Sequence, residues 1–530
     1  MKHKILFVAL FVLLAAVFSV VIVDAQGPNP RNPRAPQTAL GTGFTYQGQL
    51  KNGGVAVNGV CDFQFGLWDV LTLGAQVGVT QTVSSVSVTN GLFTTTLNGS
   101  NEFGATAFDG NARWLAITTR CPAGSGSYTA LNPRQELTAT PYALTAMKTA
   151  YKNVLVVAKS GGHYNTISAA LASITDNSAS NRYLIWVAPG TYNETITMKQ
   201  YVDIEGAGEL ATKITFTGSA LHGAGTVLGA DNAELRFLSV ENTGGSTYAK
   251  AINNDGASPR LTHLTVTASG GASNYGINNN NASSPTMTNL TIIISGGQFG
   301  YGVYNYNASA PKMTDLTVTI SGVTNTCNGV YNTTNSSPTM TNVTIIASSQ
   351  QTSYGVFNII TSSPTMTNMT IYVAGGQNSV AVSNTGASPK MMNLFLYASG
   401  GTVDNQGVLN GTSSSPTLTN VTITASGGQN SYGVYNSSSS ATIQNSTITV
   451  SGGSVNNNGI FNYATSGTYT VFVNNSQVTS TDNTIQSDSE FTVRVGASKL
   501  AGDLATSGGG TLTCAGVYDE NYVFYASTCP

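Results

Sequence analysis

An internal repeat fills the middle of this 530-residue chain and limits what the chain can fold into. Seven Ser-Pro or Ala-Pro dipeptides mark the repeat. Their prolines lie 26, 26, 27, 26, 25 and 27 residues apart, at Pro259, Pro285, Pro311, Pro338, Pro364, Pro389 and Pro416. Ala233 and Ala441 continue the register without proline, so at least nine units are present. Such a period is typical of solenoids, in which each unit buries its apolar face against the next.

Alternation within each unit separates an inner face from an outer face. A unit reads S-P-T-M-T-N-L-T-I, then a Gly/Ser turn, then Y-G-V-Y-N. In Leu290-Thr291-Ile292 and its equivalents, this pattern places aliphatic side chains inside a strand and hydroxyls outside. Each unit has two or three β-branched runs and no helix-forming stretch, which predicts one turn of a parallel β-solenoid. A leucine-rich repeat has a different Leu spacing, and a propeller blade needs about 40 residues.

Two columns of polar residues, mostly asparagine, also repeat once per unit. The first follows the first β run and comprises His263, Asn289, Asp315, Asn342, Asn368, Asn393, Asn420 and Asn445. The second follows the later run and comprises Asn254, Asn279, Asn305, Asn332, Asn358, Asn384, Asn410, Asn436 and Asn462. Asparagine tolerates left-handed turn geometry, and stacked amides can hydrogen-bond along a solenoid axis. We therefore predict structural asparagine ladders at the bends between sheets.

The segment before the repeats resembles the start of a known family of solenoids. VLVVAKSGGHYNTISAALASI and RYLIWVAPGTYNETITMKQYVDIEGAG are similar to the first turns of the pectin methylesterase and pectate lyase superfamily of right-handed parallel β-helices. The resemblance implies a short amphipathic helix from Thr166 to Ile174 and a structural G-x-Y-x-E turn at Gly190, Tyr192 and Glu194. We expect an all-β chain with a right-handed parallel β-helix over residues 153–500. Residues 501–530 resemble a terminal segment of related secreted proteins and are expected to cap it.

The N-terminus predicts export. Lys2 and Lys4 precede an apolar run from Ile5 to Val23, and small residues then precede Gln26, as in a secretory signal peptide over residues 1–25. An uncleaved membrane anchor is the alternative, because 19 apolar residues can span a bilayer. The proline-containing residues 26–40 predict an extended linker. In either case the rest of the chain is expected to be secreted or at the cell surface.

Residues 41–148 predict a small β-sandwich, because short β runs alternate with Gly and Asn turns. The segments FTYQGQL, VTNGLFTTTL, ARWLAI and LTATPYALTA resemble a module near the N-terminus of many secreted bacterial proteins. That resemblance implies a surface-exposed bacterial protein and no chemistry. Asp62-Phe63-Gln64-Phe65-Gly66 looks like a catalytic motif of pectin methylesterases, but it lies in this module, so we interpret it as part of a strand.

The cysteines fit an exported chain. We predict disulfides Cys61–Cys121 and Cys514–Cys529, because each pair is local and the compartment permits oxidation. Cys327 stands alone among the repeats. The sequence contains no Cys-x-x-Cys motif and no histidine cluster, so we predict no metal site and no cofactor.

Low charge limits the possible partners and chemistry. Only 8% of residues are charged, and the net charge is −2 without a basic run. This composition argues against a nucleic-acid partner, and it argues against a membrane partner unless the N-terminal segment is retained. Acid–base catalysis needs converging carboxylates. The best charged group near the repeats comprises Asp231, Glu234, Arg236, Glu241 and Asp255, but the motifs of the resembled enzymes are absent, so we predict no catalytic residue.

One outward column of aromatic residues is the candidate binding site. If Val303 and its equivalents point inward, the following position points outward, at Tyr304, Tyr331, Phe357, Tyr435 and Phe461. Exposed rings can stack on sugars, although contacts among the rings could serve stability alone. We predict a secreted or cell-surface β-helix protein with a structural, adhesive or glycan-binding role, contacting extracellular polysaccharide or cell-surface glycan. The alternative is a carbohydrate-active enzyme, pectinesterase-like or pectate-lyase-like.

Overall fold

The computed structural model describes residues 43–104, 107–108, 113–137, 151, 153–219, 224–506 and 510–530. The chain divides into two compact units, Met1–Thr149 and Ala150–Pro530. The predicted signal peptide and linker lie outside the described residues, as does the end of the predicted module from residue 138. Within the described ranges, no helix has the length and apolar character needed to cross a membrane.

The first unit consists of small antiparallel sheets. Its strands are β1 (Phe44–Gln49), β2 (Lys51–Asn52), β3 (Val55–Ala56), β4 (Gly59–Trp68), β5 (Gln76–Val88), β6 (Leu92–Leu97), β7 (Trp114–Arg120) and β8 (Thr129–Glu136). β1 pairs with β6, β2 with β3, and the other four form a sheet in the order β5-β4-β7-β8. Phe63 and Phe65 of β4 are fully buried, and Phe63 stacks on Phe93 of β6 with ring centroids 4.3 Å apart.

Strand β8 was not predicted, because Pro133 lies within it. Proline has no N–H to donate to a ladder and is tolerated at a sheet edge. β8 occupies that place, since β7 is its only partner among the strands that the structure describes. A turn at Asn90 and Gly91, both of which have positive φ, separates β5 from β6.

The second unit begins with β9 (Asn153–Val157), α1 (Ile167–Ser173), β10 (Tyr183–Val187), β11 (Gly190–Asn193), β12 (Ile196–Thr197), β13 (Val202–Gly206), β14 (Thr212–Phe216) and β15 (Val227–Leu228). The repeats form β16 (Glu234–Asn242), β17 (Tyr248–Asp255), β18 (Arg260–Ser269), β19 (Ser273–Asn280), β20 (Thr286–Ser295), β21 (Phe299–Asn305), β22 (Lys312–Val323), β23 (Thr326–Asn332), β24 (Thr339–Ser349), β25 (Thr352–Ile359), β26 (Thr365–Thr367), β27 (Thr370–Ala374), β28 (Asn378–Thr385), β29 (Lys390–Met392), β30 (Phe395–Ser399), β31 (Asp404–Gly411), β32 (Thr417–Thr419), β33 (Thr422–Ser426), β34 (Asn430–Ser437), β35 (Thr442–Gln444), β36 (Thr447–Ser451) and β37 (Asn456–Tyr463). The unit ends with β38 (Tyr469–Asn474), β39 (Gln477–Ser487), β40 (Phe491–Gly496), β41 (Lys499–Thr506), β42 (Thr511–Ala515), β43 (Val517–Tyr518) and β44 (Phe524–Tyr525).

These strands stack as a parallel β-solenoid of about 13 turns, which confirms the predicted fold class. In the repeats, each turn supplies a run such as T-M-T to a first sheet, a run such as L-T-I to a second and a run such as Y-G-V-Y-N to a third. Equivalent positions pair in parallel from turn to turn, as β18 and β20 do through Leu264↔Leu290 and Val266↔Ile292. These aliphatic side chains are buried in one continuous core, so burial of the repeated inward positions holds the turns together.

The first asparagine column lies at the bend between the first and second sheets. Its members have positive φ, for example +54° at Asn289 and +58° at Asn393. All of them except the half-buried His263 are exposed, and several join neighbouring turns: Asn393 Nδ2 donates to Asn368 Oδ1 at 3.0 Å, and Asn420 Nδ2 to Asn393 Oδ1 at 3.1 Å. The prediction of a ladder at a left-handed bend is confirmed for this column.

The second column forms a ladder of a different kind. Its nine asparagines are fully buried, and none of them has positive φ. Each Nδ2 from Asn254 to Asn436 donates to the Oδ1 of the next asparagine at 2.7–2.9 Å, and Asn462 Nδ2 donates to Ser487 Oγ at 2.7 Å. Here the buried amide chain, not the turn conformation, requires asparagine.

The G-x-Y-x-E turn stabilises the start of the solenoid. Glu194 accepts hydrogen bonds at the N-terminus of α1 from the backbone N–H of Ile167 at 2.9 Å and of Ser168 at 2.8 Å. A carboxylate is favourable there because the first N–H groups of a helix lack partners within the helix. Tyr192 is buried, and its hydroxyl donates to the Ala188 carbonyl at 3.0 Å.

Both predicted disulfides are present. Cys61 joins Cys121 in the first unit, and Cys514 joins Cys529 near the end of the solenoid. Cys327 is free and buried, and burial raises the pKa of its thiol.

Candidate functional site

The predicted aromatic column lies on the outer face of the third sheet. Strand register aligns Tyr304 with Tyr331 and Tyr331 with Phe357, and it aligns Tyr435 with Phe461. Ser383 and Leu409 take the same position in the two intervening turns. The residue before each of these positions, such as Val303, is fully buried, as the prediction required.

A second aromatic column runs beside the first, and sequence reasoning missed it. It consists of Tyr275, Tyr301, Tyr354 and Tyr432. In a regular strand, Tyr301 and Tyr304 would face opposite sides because three positions separate them. The intervening glycine of Y-G-V-Y-N was the signal that could have revealed the column.

Gly302 explains how both tyrosines reach one face. A Cβ at this position would lie 2.4 Å from Val318 Cγ1 inside the core and 2.4 Å from the Gly329 carbonyl oxygen. Gly302 therefore faces inward together with Val303, and this irregularity returns the tyrosines on either side to the outer face. We call the resulting nine side chains the aromatic strip: Tyr275, Tyr301, Tyr304, Tyr331, Tyr354, Phe357, Tyr432, Tyr435 and Phe461.

The rings of the strip pack in two clusters. In the larger cluster, Tyr275 stacks on Tyr301 with centroids 4.7 Å apart, and Tyr304 meets Tyr301 edge to face at 5.3 Å. In the smaller, Phe461 lies 5.2 Å from Tyr432 and 5.0 Å from Tyr435. An aromatic pair contributes about 0.5–1.5 kcal/mol beyond its buried area, so these contacts stabilise the sheet.

Burial raises the pKa of the tyrosines of the strip further above the physiological range. Burial raises the pKa of Tyr301 to about 12, and burial with the nearby Asp404 carboxylate raises the pKa of Tyr432 to about 12. The pKa values of Tyr275 and Tyr304 are raised in the same direction by burial. The strip therefore presents apolar rings whose hydroxyls can both donate and accept hydrogen bonds.

Amide side chains interrupt the rings, and some of their atoms lack partners. Asn328, Gln406 and Asn458 occupy positions in the Tyr301 column. They are 3%, 7% and 1% exposed, and Asn328 Oδ1, Gln406 Oε1 and Asn458 Nδ2 have no hydrogen-bond partner. Buried polar atoms are nearly always paired in proteins, and three further unpaired atoms, Asn253 Nδ2, Asn254 Oδ1 and Ser309 Oγ, lie outside the strip.

The charged group expected near the repeats is not assembled as a unit. Glu234 and Arg236 do pair, at 2.7 Å. Glu241 instead lies 3.3 Å from Lys213 on the second sheet. The remaining two carboxylates accept other bonds, Asp231 from the Ser258 N–H at 2.7 Å and Asp255 from Asn281 Nδ2 at 2.5 Å. Their separate partners leave no convergent acid pair among these five residues.

A different charged cluster surrounds a cavity of about 500 Å³ in the first turns. Arg182 contacts both carboxylate oxygens of Asp203 at 3.0 Å, and Tyr151 donates to Asp203 Oδ2 at 2.6 Å. Burial and the bond to Asp203 raise the pKa of Tyr151 to about 12. Glu234 and Arg260 complete the lining, 3.7 Å apart. Sequence reasoning overlooked Asp203 and Arg182 because they precede the repeats.

Comparison with known proteins gives partial matches. Residues 45–134 match a family described as a domain of unknown function (DUF8740). A stretch of 132 residues is 28% identical to Probable pectinesterase 50 of Arabidopsis thaliana, and it covers 22% of this chain and 36% of that protein. The chain thus spans about a third of the length of this relative.

Solved structures similar to the chain include pectin methylesterases and epimerase β-helices. Pectin methylesterase from carrot is 17% identical, with a TM-score of 0.33 over 47% of this chain and 83% of that one. The A-module of Azotobacter vinelandii mannuronan C-5 epimerase AlgE4 is 15% identical, with a TM-score of 0.34 over 65% and 92%.

Proposed function

We propose that this protein is a secreted or cell-surface glycan-binding protein whose aromatic strip stacks against sugar rings. The observation that carries the proposal is the alignment of nine aromatic side chains on one outer face of the third sheet. Sugar rings have apolar faces that pack on aromatic rings, and their hydroxyls bond to nearby amides and phenols. The partner would be extracellular polysaccharide or a cell-surface glycan.

Binding to immobilised glycans tests the proposal. The purified chain is applied to a polysaccharide array, together with the double variant Tyr304→Ala/Tyr331→Ala. We expect the wild type to bind at least one glycan and the variant to lose at least tenfold in affinity, because each removed ring forfeits a stacking contact. Absence of binding to every glycan would contradict the proposal.

A matched control removes rings from another face. Tyr372 and Tyr397 lie on the second sheet with centroids 6.0 Å apart, and Tyr372 is 41% exposed. Tyr372→Ala/Tyr397→Ala therefore changes aromatic content without touching the strip. Equal loss in both double variants would show that the strip is not the binding face.

Placement outside the cell is part of the proposal. Its support is the predicted signal peptide together with two disulfides, which persist in oxidising compartments. The test is N-terminal sequencing of the protein recovered from culture medium, where we expect a new N-terminus at Gln26. Recovery only from the cytoplasm would contradict it.

A carbohydrate-active enzyme is the second candidate, and the cavity beside Asp203 favours it. That cavity brings two carboxylates, Asp203 and Glu234, together with Arg182 and Arg260, the kind of groups that acid–base chemistry on a polysaccharide uses. The assay is release of methanol, or of unsaturated products, from methylated and de-methylated polygalacturonate. Turnover that Asp203→Asn abolishes without unfolding the chain would support the enzyme; no turnover would leave the binding function alone.

A further inference from the structure

We propose that the ligand of the aromatic strip is a neutral, polyhydroxylated glycan, and that Asn328 and Gln406, whose unpaired atoms are buried in the unliganded chain, become accessible on binding and bond to its hydroxyls. This inference rests on the proposed function, since it names the class of glycan that the strip takes. It excludes polyuronates, the acidic polysaccharides that carry a carboxylate on each sugar.

The charges around the strip support a neutral ligand. The outward positions of the third sheet from β19 to β37 are all described, and Asp404 is the one charged residue among them. Its carboxylate accepts a hydrogen bond from Asn430 Nδ2 at 2.9 Å. Lys250, one turn before Tyr275, is nearly buried, and its Nζ lies 5.7 Å from that ring. A polyanion along the strip would meet a carboxylate and a row of rings with one nearly buried lysine at its end, whereas polyanions are held mainly by accessible Lys and Arg.

The unpaired amide atoms point to a ligand that carries hydroxyls. Asn328 Oδ1 and Gln406 Oε1 are acceptors without a donor, and Asn458 Nδ2 is a donor without an acceptor. A carboxylate only accepts hydrogen bonds, but the hydroxyls that uronates share with neutral sugars can donate to both oxygens, so the neutral class rests on the charges around the strip. A sugar hydroxyl both donates and accepts, and it can pair with all three atoms.

These amides also predict opposite effects on binding and stability. A buried polar group without a partner destabilises the unliganded fold, and leucine fills nearly the same volume without polar atoms. Asn328→Leu and Gln406→Leu should therefore keep or raise the melting temperature while weakening glycan binding about tenfold each. A purely structural role would move both quantities in the same direction.

The experiment measures binding of the full chain to soluble β-glucan, galactan and xylan, and to polygalacturonate and alginate, at low and high NaCl. We expect binding to at least one neutral polysaccharide, with an affinity that salt does not change, and weakening by Asn328→Leu and Gln406→Leu. Gln444→Leu is the control, because Gln444 is outward on the first sheet, in β35.

The possible outcomes separate this inference from the proposed function. The chain could instead prefer polygalacturonate or alginate, with an affinity that depends on salt and on Tyr304. That result would overturn the proposal of a neutral ligand and leave the proposed glycan binding intact. Wild-type affinity in Asn328→Leu and Gln406→Leu would overturn the role of the amides. Failure to bind any of the polysaccharides would remove the proposed function itself.

Discussion

The buried asparagine ladder allows one substitution to be compared at two places in the same structure. Asn358 lies inside the ladder: it accepts from Asn332 Nδ2 at 2.8 Å and donates to Asn384 Oδ1 at 2.9 Å. Asn254 lies at its end: it donates to Asn279 Oδ1 at 2.8 Å, but its own Oδ1 has no partner. Asn→Ala therefore breaks two hydrogen bonds at one position and one at the other.

The expected magnitudes follow from the polar atoms left unpaired. Removing one partner of a buried hydrogen bond destabilises a protein by about 1–3 kcal/mol. Asn358→Ala leaves two such atoms, on Asn332 and Asn384, so we expect a loss of about 2–6 kcal/mol. Asn254→Ala leaves one, so we expect about 1–3 kcal/mol. Both side chains are fully buried, so the loss from the cavity is similar and cancels in the comparison.

Equilibrium unfolding in urea measures the difference. The midpoint should fall about twice as far for Asn358→Ala as for Asn254→Ala, and hydrogen exchange should show whether the loss spreads to neighbouring turns. If both variants lose the same free energy of unfolding, the volume of the removed side chain accounts for the loss. That result would refute the reasoning that the number of paired amides determines it. So would a change below about 0.5 kcal/mol at Asn358, the scale of an ordinary surface substitution.

Further predictions concern other parts of the molecule. Glu194→Ala should destabilise by about 1 kcal/mol and speed hydrogen exchange in α1, because the first N–H groups of the helix lose their acceptor. Hydrogen bonds from the backbone N–H groups of Ser85 and Gly124 and from Arg120 lower the pKa of Asp62. The ionised carboxylate should therefore stabilise the first unit above the unfolded pKa near 4, and this stabilisation should be lost as pH falls through the folded pKa. Unfolding followed by tryptophan fluorescence should show a weaker pH dependence of stability in Asp62→Asn. The pKa of Tyr301 is raised to about 12, whereas the same phenol in the unfolded chain ionises near pH 10. The solenoid should therefore lose stability as pH rises from 10 to 12. Absorbance titration of the wild type and of Tyr301→Phe checks this expectation. Glycan affinity should increase with oligosaccharide length up to about 34 Å, the extent of eight stacked turns of the strip, and an affinity independent of length would contradict this.

Much of the fold was predictable because its information is local and repeated. Alternation of Leu290, Thr291 and Ile292 assigns the inner and outer faces, and the constant period aligns each turn with the next. The same register predicted the column of Tyr304 and Tyr331. The column of Tyr301 was not predictable by alternation, since Gly302 interrupts the period of two in the middle of the strand.

Charged contacts escaped prediction for another reason. Arg182 and Asp203 lie 21 residues apart, and Arg182 also donates to the backbone carbonyl of Asn232, 50 residues away. Their partners depend on which side chains the first turns bring together, where the repeat has not yet begun. No spacing in the sequence marks such contacts.

The sequence by itself determined the solenoid, its inward aliphatic core, both asparagine columns and the two disulfide pairs. The solenoid, its core and the columns follow from period and alternation, and the disulfide pairs follow from the presence of two cysteines in each of two separate segments. Only the tertiary structure decided that two aromatic columns share one face, that the second asparagine column is a buried chain of amides, and that Asn328 and Gln406 retain unpaired atoms. The physical reason is that hydrogen-bond pairing and ring contacts depend on distances of a few ångströms between turns, and a single inward glycine is enough to change which side chains meet.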